Sequence, residues 1–294
     1  MTGKGGVGKT TLTAALGFYS SDREEDTLLV ETHGLNHLGE LLGVGKVGYR
    51  PKKIAPHLWL CQLDPEMTLE DYLLQQIKVQ LIYNAVFKNK YVRHFLDAAP
   101  GLVELLTIGK IWALTQPKGV LGNLQTFHRV IVDAPSTGHG LSLLTVPEVV
   151  ARAVRVGPLK TKSQQILDAL RDPNYTMVWL ASLPEELPVT ETVEMAAKLT
   201  EQVKVHLGPI LVNALWPELL SESGEKELGK IKNLPLVETY KKRRTLSRYY
   251  LNKLQNRLPQ KQLVELPLIY ETTRPLEIAK VLAKKMKELF EVGR

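Results

Sequence analysis

Short apolar runs alternate with longer stretches of helical periodicity along the chain. Six runs predict strands: Thr27 to Glu31 (TLLVE), Leu58 to Leu63 (LWLCQL), Arg129 to Asp133 (RVIVD), Thr176 to Ala181 (TMVWLA), Pro209 to Asn213 (PILVN) and Gln262 to Leu266 (QLVEL). They are mostly continuous apolar runs rather than alternating ones. Strands buried on both faces have that pattern, which points to a largely parallel sheet covered by helices on both sides. Thr11 to Ser20, Pro188 to Gln202 and Arg274 to Phe290 predict covering helices. From Pro65 to Lys118 there is no strand signal, and LEDYLLQQIKVQLIYNAVF and PGLVELLTIGKIWAL have helical spacing. That stretch is too long for a simple crossover, so a helical insertion subdomain is expected over 65–118. The expected fold is α/β, doubly wound, with a mostly parallel sheet. It is read as one domain spanning 1–294 with that insertion.

Composition sharpens this picture. The chain has 294 residues, 44% hydrophobic and 23% charged, which is enough apolar material for a sizeable core. No run of about 18 apolar residues predicts a membrane span. Met1-Thr2-Gly3-Lys4 carries no apolar signal region, and Cys61 is the only cysteine. An intrachain disulfide and a cysteine-rich zinc site are therefore excluded, and a cytoplasmic protein is the expectation.

Gly3-Lys4-Gly5-Gly6-Val7-Gly8-Lys9-Thr10 fits G-x-x-x-x-G-K-[ST]. Backbone N–H groups must converge on phosphate oxygens there, and side chains would block them; Gly5, Gly6 and Gly8 permit the required backbone angles. Lys9 brings a compact charge to the β- and γ-phosphates, and Thr10 a hydroxyl for Mg²⁺. The helix beginning near Thr11 would turn its positive end towards the same phosphates. The bare pattern arises by chance in roughly one chain in a hundred of this length, and Lys4, Gly5 and Gly6 lower that by about three more orders of magnitude. A flexible glycine-rich terminus is therefore the weaker explanation. A strand of about five residues usually precedes such a loop. Only Met1 and Thr2 do so here, so a truncated or late-assigned start is expected.

KGGVGKT, with Lys4, resembles the deviant phosphate loop of the ATPase superfamily that includes the partitioning, Min and nitrogenase-iron-protein groups. Val130 to Leu144 (VIVDAPSTGHGLSLL) resembles the Walker B strand and second switch of the arsenical pump-driving ATPase family. That family includes the guided-entry ATPase that targets tail-anchored membrane proteins. LDPEMTLEDYL, APGLVELLTIGK, RVGPL, PEELPVTET and LVNALWP extend the likeness over most of the chain, and most closely to the shorter bacterial members. The resemblance implies Mg-ATP at Gly3 to Thr11, Thr10 as a direct Mg²⁺ ligand and Asp133 as one through water. It implies that Lys4 reaches the partner's nucleotide across a homodimer. It also implies that Asn213 reads adenine, and that Pro267 begins the loop covering it. Plainer roles stand beside these: a helix cap for Asp133, a solvated loop lysine for Lys4, a turn asparagine for Asn213. His139, in the switch segment, is read equally as a loop histidine.

Two departures matter. Better-known members carry D-P-A-H after the second strand, its Asp orienting the attacking water. Here the segment reads VETHGLNHLGELL, which puts His33 at the Asp position, with Glu31 the nearest carboxylate. Glu31 and His33 are the candidates for that role, and slow hydrolysis is expected. The cysteines with which relatives hold metalloid or zinc are absent, so neither site is expected.

The apolar residues from Leu81 to Leu114, including Leu102, Leu105, Leu106, Ile108 and Trp112, suit either the subdomain's own core or a groove for a hydrophobic peptide client. Leu236 to Val264 holds eight lysines and arginines against Glu238 alone, which accounts for the whole +7 net charge. Leu246, Tyr250, Leu254 and Leu258 recur there at near-helical spacing. An amphipathic helix with a solvated basic face is expected, with peripheral membrane association as the sharper reading and nucleic acid disfavoured. The functional expectation is an ATP-hydrolysing switch acting on a protein or membrane client. The alternatives are a nucleotide-dependent binding protein with little hydrolysis, and a partitioning-type ATPase on DNA or membrane.

Overall fold

The computed structural model describes residues 1–32, 35–76, 101–118, 125–218 and 235–291. In chain order the elements begin with β1 (Thr2–Gly3), α1 (Lys9–Ser21), β2 (Thr27–Glu31), α2 (His37–Leu41), β3 (Lys52–Ala55) and β4 (Leu58–Gln62). Next come α3 (Pro65–Gln76), α4 (Leu102–Leu114), β5 (Arg129–Asp133), α5 (Thr137–Ala153) and α6 (Pro158–Arg171). The remainder are β6 (Val178–Ser182), α7 (Glu186–Lys198), β7 (Leu207–Leu215), α8 (Pro235–Arg257), β8 (Leu263–Pro267) and α9 (Pro275–Glu291).

The strands form two four-stranded ladders, β3-β4-β2-β5 and β1-β6-β7-β8. Main-chain bonds join them: the Met1 nitrogen donates to Val132 O at 2.9 Å, and Ala134 N donates to Met1 O at 3.0 Å. Gly3 bridges to Ser136 beyond them. β1 thus lies between β5 and β6. The combined order is 3-4-2-5-1-6-7-8, parallel throughout except for β3.

Successive residues of each strand serve opposite faces. Leu28, Val30, Leu180, Ile210 and Val212 belong to a core shared with α4 to α8, whereas Leu29 packs with α1 and α2, and Leu211 with α1 and α9. Both faces are covered, which is why these strands read as unbroken apolar runs. The short edge strand β3 was not expected. Its Lys52 and Lys53 are exposed, and an edge needs no apolar pattern; lysines there discourage further pairing. α5 and α6 are also additions to the expected helices. α7 passes directly into a π-turn at Leu199–Val203. In the stretch read as a helical insertion, α3 and α4 are helices, and 77–100 lies outside the described residues. Most of the apolar face expected for α8 packs against the core, Leu246 excepted. Leu254 is buried and Tyr250 and Leu258 pack against the core, joined by buried Tyr240, Ser247 and Leu251, while Leu246 is 48% exposed. No described helix is long and apolar enough to cross a membrane.

Cys61, on β4, is wholly buried, and burial pushes its thiol up to about 12 despite the opposing charge of Lys110. Only the thiolate reacts, so at pH 8 about one molecule in ten thousand would be competent. Iodoacetamide at pH 8 is expected to leave the native protein unlabelled and to modify Cys61 stoichiometrically once urea unfolds it, as read by intact mass.

Candidate nucleotide site

The loop from Lys4 to Gly8 leaves β1 and turns into α1. Gly8 has φ 88° and precedes the helix, and its carbonyl accepts the first helical bond, from Leu12 N at 2.9 Å. A Cβ at Gly8 would lie 2.5 Å from Asn213 Nδ2, so the position demands glycine for its angle and for space. Over Gly5 and Gly6 the space is open, with no atom within 4 Å of a built Cβ. Val7 is buried and anchors the loop in the core shared with α1 and α9. Lys9 Nζ donates to Lys4 O at 2.9 Å, closing the loop on itself. Burial lowers the Lys9 ammonium pKa below the usual lysine range, and the nearby Asp133 carboxylate opposes that shift. Thr11 continues the first turn of α1.

Asp133 closes β5 beside the loop and is 2% exposed. Its Oδ2 accepts from Thr10 Oγ1 at 2.7 Å, while its Oδ1 is buried without a hydrogen-bond partner. An unpartnered buried carboxylate oxygen is costly in isolation, and is what a hydrated cation would satisfy. Among the described residues no three His, Cys, Asp or Glu side chains cluster as a metal cage. Thr10 and Asp133 therefore fit a Mg²⁺ that takes its other ligands from phosphate and water.

Glu31 ends β2 and is 1% exposed, but its carboxylate is engaged elsewhere. It accepts from His37 N at 2.8 Å and Leu38 N at 3.1 Å, capping the start of α2. Both oxygens thus satisfy helix N–H groups instead of facing the loop. Asn36 adds its own clamp there, accepting from Val47 N at 3.0 Å. His33 lies outside the described residues. Asn213, within β7, donates through Nδ2 to Val7 O at 3.0 Å. Pro267 ends β8 opposite Leu215, and Leu268 N donates to Leu215 O at 2.8 Å. His139 is exposed in the first turn of α5.

Sequence reasoning did not single out Glu191. This α7 residue holds Lys4 Nζ at 3.0 Å through Oε1 and receives Thr137 Oγ1 at 3.5 Å through Oε2. It therefore bridges the phosphate loop to the first residue of α5. The only signal was its place in PEELPVTET, and nothing in that spacing names its partner. Thr2 and Gly140 were missed likewise. Thr2 Oγ1 donates to Pro135 O at 2.9 Å, and a Cβ on Gly140 would sit 2.6 Å from Thr2 Oγ1. Thr32 Oγ1 donates to Asp133 O at 2.8 Å and ties the ends of β2 and β5 together.

A phosphate loop, a strand-end carboxylate beside its threonine, and helices on both faces of a parallel sheet coincide here. The profile of the family described as anion-transporting ATPase matches residues 1–166 and 159–288. The chain belongs to the anion-transporting ATPase family. ATPase BagA of Mycobacterium tuberculosis is 30% identical over 238 residues, covering 78% of this chain and 69% of that protein. ATPase GET3 of Podospora anserina is 22% identical over 298 residues, covering 94% and 86%. A putative arsenical pump-driving ATPase of Halobacterium salinarum is 25% identical over 237 residues, covering 74% of this chain and 35% of its own length. The resemblance read from the motifs therefore holds at family level, and the protein is an ATPase of this family.

Two substitutions separate cap from cradle. Glu31→Ala strips α2 of both acceptors and is expected to lower unfolding free energy by about 1–3 kcal/mol in urea titration, without nucleotide present. Gly8→Ala is expected to cost about 1–2 kcal/mol from backbone angle alone and to weaken ATP binding measured by calorimetry.

Proposed function

We propose that this protein is a Mg-ATP-driven switch, one domain over 1–294 with a helical insertion at 65–118, whose nucleotide state controls a homodimer and its client. The observation that carries the reading is the buried, unpartnered Oδ1 of Asp133 beside the Thr10 hydroxyl and the open loop. In this reading backbone N–H groups of Gly5 to Lys9 bind the phosphates, and Lys9 exchanges Lys4 O for phosphate oxygen. Thr10 and Asp133 hold Mg²⁺. Bound Mg²⁺ supplies positive charge to the β- and γ-phosphate oxygens. Asn213 and Pro267 flank the base. The Lys4–Glu191 pair is partly exposed on both sides, so exchanging it for an anion across a dimer costs little. That freedom supports Lys4 as the residue offered to the partner's nucleotide. The motif resemblance to the guided-entry branch supports a hydrophobic or membrane-associated client, with nucleic acid disfavoured.

One observation favours the second reading, nucleotide binding with little hydrolysis. The nearest first-switch carboxylate, Glu31, is committed to α2, so it is poorly placed to orient water. Steady-state phosphate release distinguishes the two. Wild type is expected to turn over, and Lys9→Ala and Asp133→Asn to lose roughly two orders of magnitude or more. Glu31→Gln is expected to follow its stability loss. Wild type that binds ATP but releases phosphate no faster than Lys9→Ala would establish the binding-only switch. Absence of ATP binding would overturn both readings.

A further inference from the structure

Away from the nucleotide site, α3, α4 and α6 line a partly open cavity of about 280 Å³. Its wall is mostly apolar, with Leu102, Leu105, Trp112, Leu159 and Ile166 among the lining residues. The volume is near the lower end for small-ligand sites. A helical peptide 10–12 Å across would need a trough several times larger.

Three features of the wall are unusual for a simple packing defect. The first is Gly109, mid-helix in α4, where glycine costs helix stability relative to alanine. A Cβ there would meet only Ile166 Cδ1 at 3.9 Å, so a larger side chain would fit and would fill the void. The second is Ser163 of α6, 1% exposed, whose Oγ has no hydrogen-bond partner. A serine inside a helix ordinarily bonds back to a carbonyl in the preceding turn. The third is charge. Asp71 is balanced, since its Oδ2 accepts from Lys110 Nζ at 2.7 Å and from Tyr49 OH at 2.9 Å. Lys162 is left over. It lines the cavity half-buried, with its Nζ 5.3 Å from the Tyr72 ring centroid and no carboxylate partner among the described residues.

We propose that this cavity binds a single-chain amphiphile with a carboxylate head. The hydrocarbon chain occupies the space beside Gly109, Leu105 and Trp112. The head group pairs with Lys162, whose ammonium has no carboxylate partner among the described residues. An apolar chain gains by leaving water, and Lys162, without a carboxylate partner among the described residues, selects the sign of the head. The site is independent of the ATPase reading, because none of its residues belongs to the phosphate loop.

Decanoate titrated into the full chain by calorimetry, in the absence of nucleotide, tests this, with decanol and decyltrimethylammonium as neutral and cationic controls. Saturable one-to-one binding of decanoate is expected, weaker binding of decanol, and none of the cation. Lys162→Met is expected to lower decanoate affinity roughly tenfold and to leave decanol unchanged. Gly109→Leu is expected to abolish binding of both while its thermal midpoint stays at or above wild type. Leu105→Trp is a second way to fill the space should Gly109→Leu fold poorly. Non-saturable heats, equal binding of the cationic amphiphile, or wild-type affinity in both filled variants would overturn the proposal. So would a hydrophobic helical peptide that binds in place of decanoate and is lost in the filled variants.

Discussion

The structure depends on a seam. β1 contributes two residues of regular strand, yet among the described residues it joins the two four-stranded halves of the sheet, through Met1 against β5, Gly3 against Ser136 just beyond it, and Thr2 and Gly3 against β6. The contacts are close enough to dictate composition. A Cβ at Gly3 would fall 2.3 Å from Ala181 O, and one at Gly140 would meet Thr2 Oγ1. The phosphate loop leaves this seam directly. Asp133 and Glu31 stand at the ends of the neighbouring parallel strands, so the chemistry collects at the carboxyl edge where open α/β sheets place their ligands. Asp133 meets Thr10 because β5 is bonded to β1, and for no local reason.

Among the described residues, Glu31, Asp133 and Glu191 have surroundings that give them different freedom. Glu31 is buried with both oxygens bonded to α2; withdrawing it would strand two helix N–H groups. Asp133 has one oxygen bonded and one without a partner, a state that favours an additional cation. Glu191 is partly exposed and shares itself between Lys4 and Thr137. An exposed ion pair is worth at most about 1 kcal/mol, so it is the one of the three that can be exchanged readily. Burial and bonding, more than proximity to the loop, distinguish the three: Glu31 is tied to α2, Asp133 keeps one oxygen without a partner, and Glu191 shares a partly exposed pair.

The sheet was legible because each central strand is apolar on both faces, and six runs from TLLVE to QLVEL announced it. β3 was not, since KKIA at an exposed edge carries no pattern. The phosphate loop was legible because glycine, lysine and threonine are required there at fixed spacing. Asp133 was legible only by resemblance, since its neighbour Thr10 is 123 positions away. Glu31 illustrates the limit. A carboxylate at the end of a strand suggests catalysis, but its role is decided by where α2 begins, and Asn36, with φ 56°, fixes that start by turning the chain. Lys4 and Glu191 are likewise paired by the meeting of β1 and α7, which no local spacing encodes. On α8, Tyr250, Leu254 and Leu258 pack on the core as their spacing suggested, but at Leu246 the core is met by the adjacent Ser247 instead.

α5 relates the two regions. It starts at Thr137, beside Ser136, which bridges to Gly3, and its 17 residues extend about 25 Å. Leu143 and Val146 lie on its core face in one cluster with Ile108 and Ile111 of α4 and Ile166 of α6, which also lines the cavity. Pro147 follows immediately. Proline removes the helical bond to Leu143 O and makes that turn the pliable point of the helix. In an ATPase cycle that moves the first turn of α5, the segment before Pro147 would carry the displacement into the packing of α4 on α6, while the segment after it need not follow.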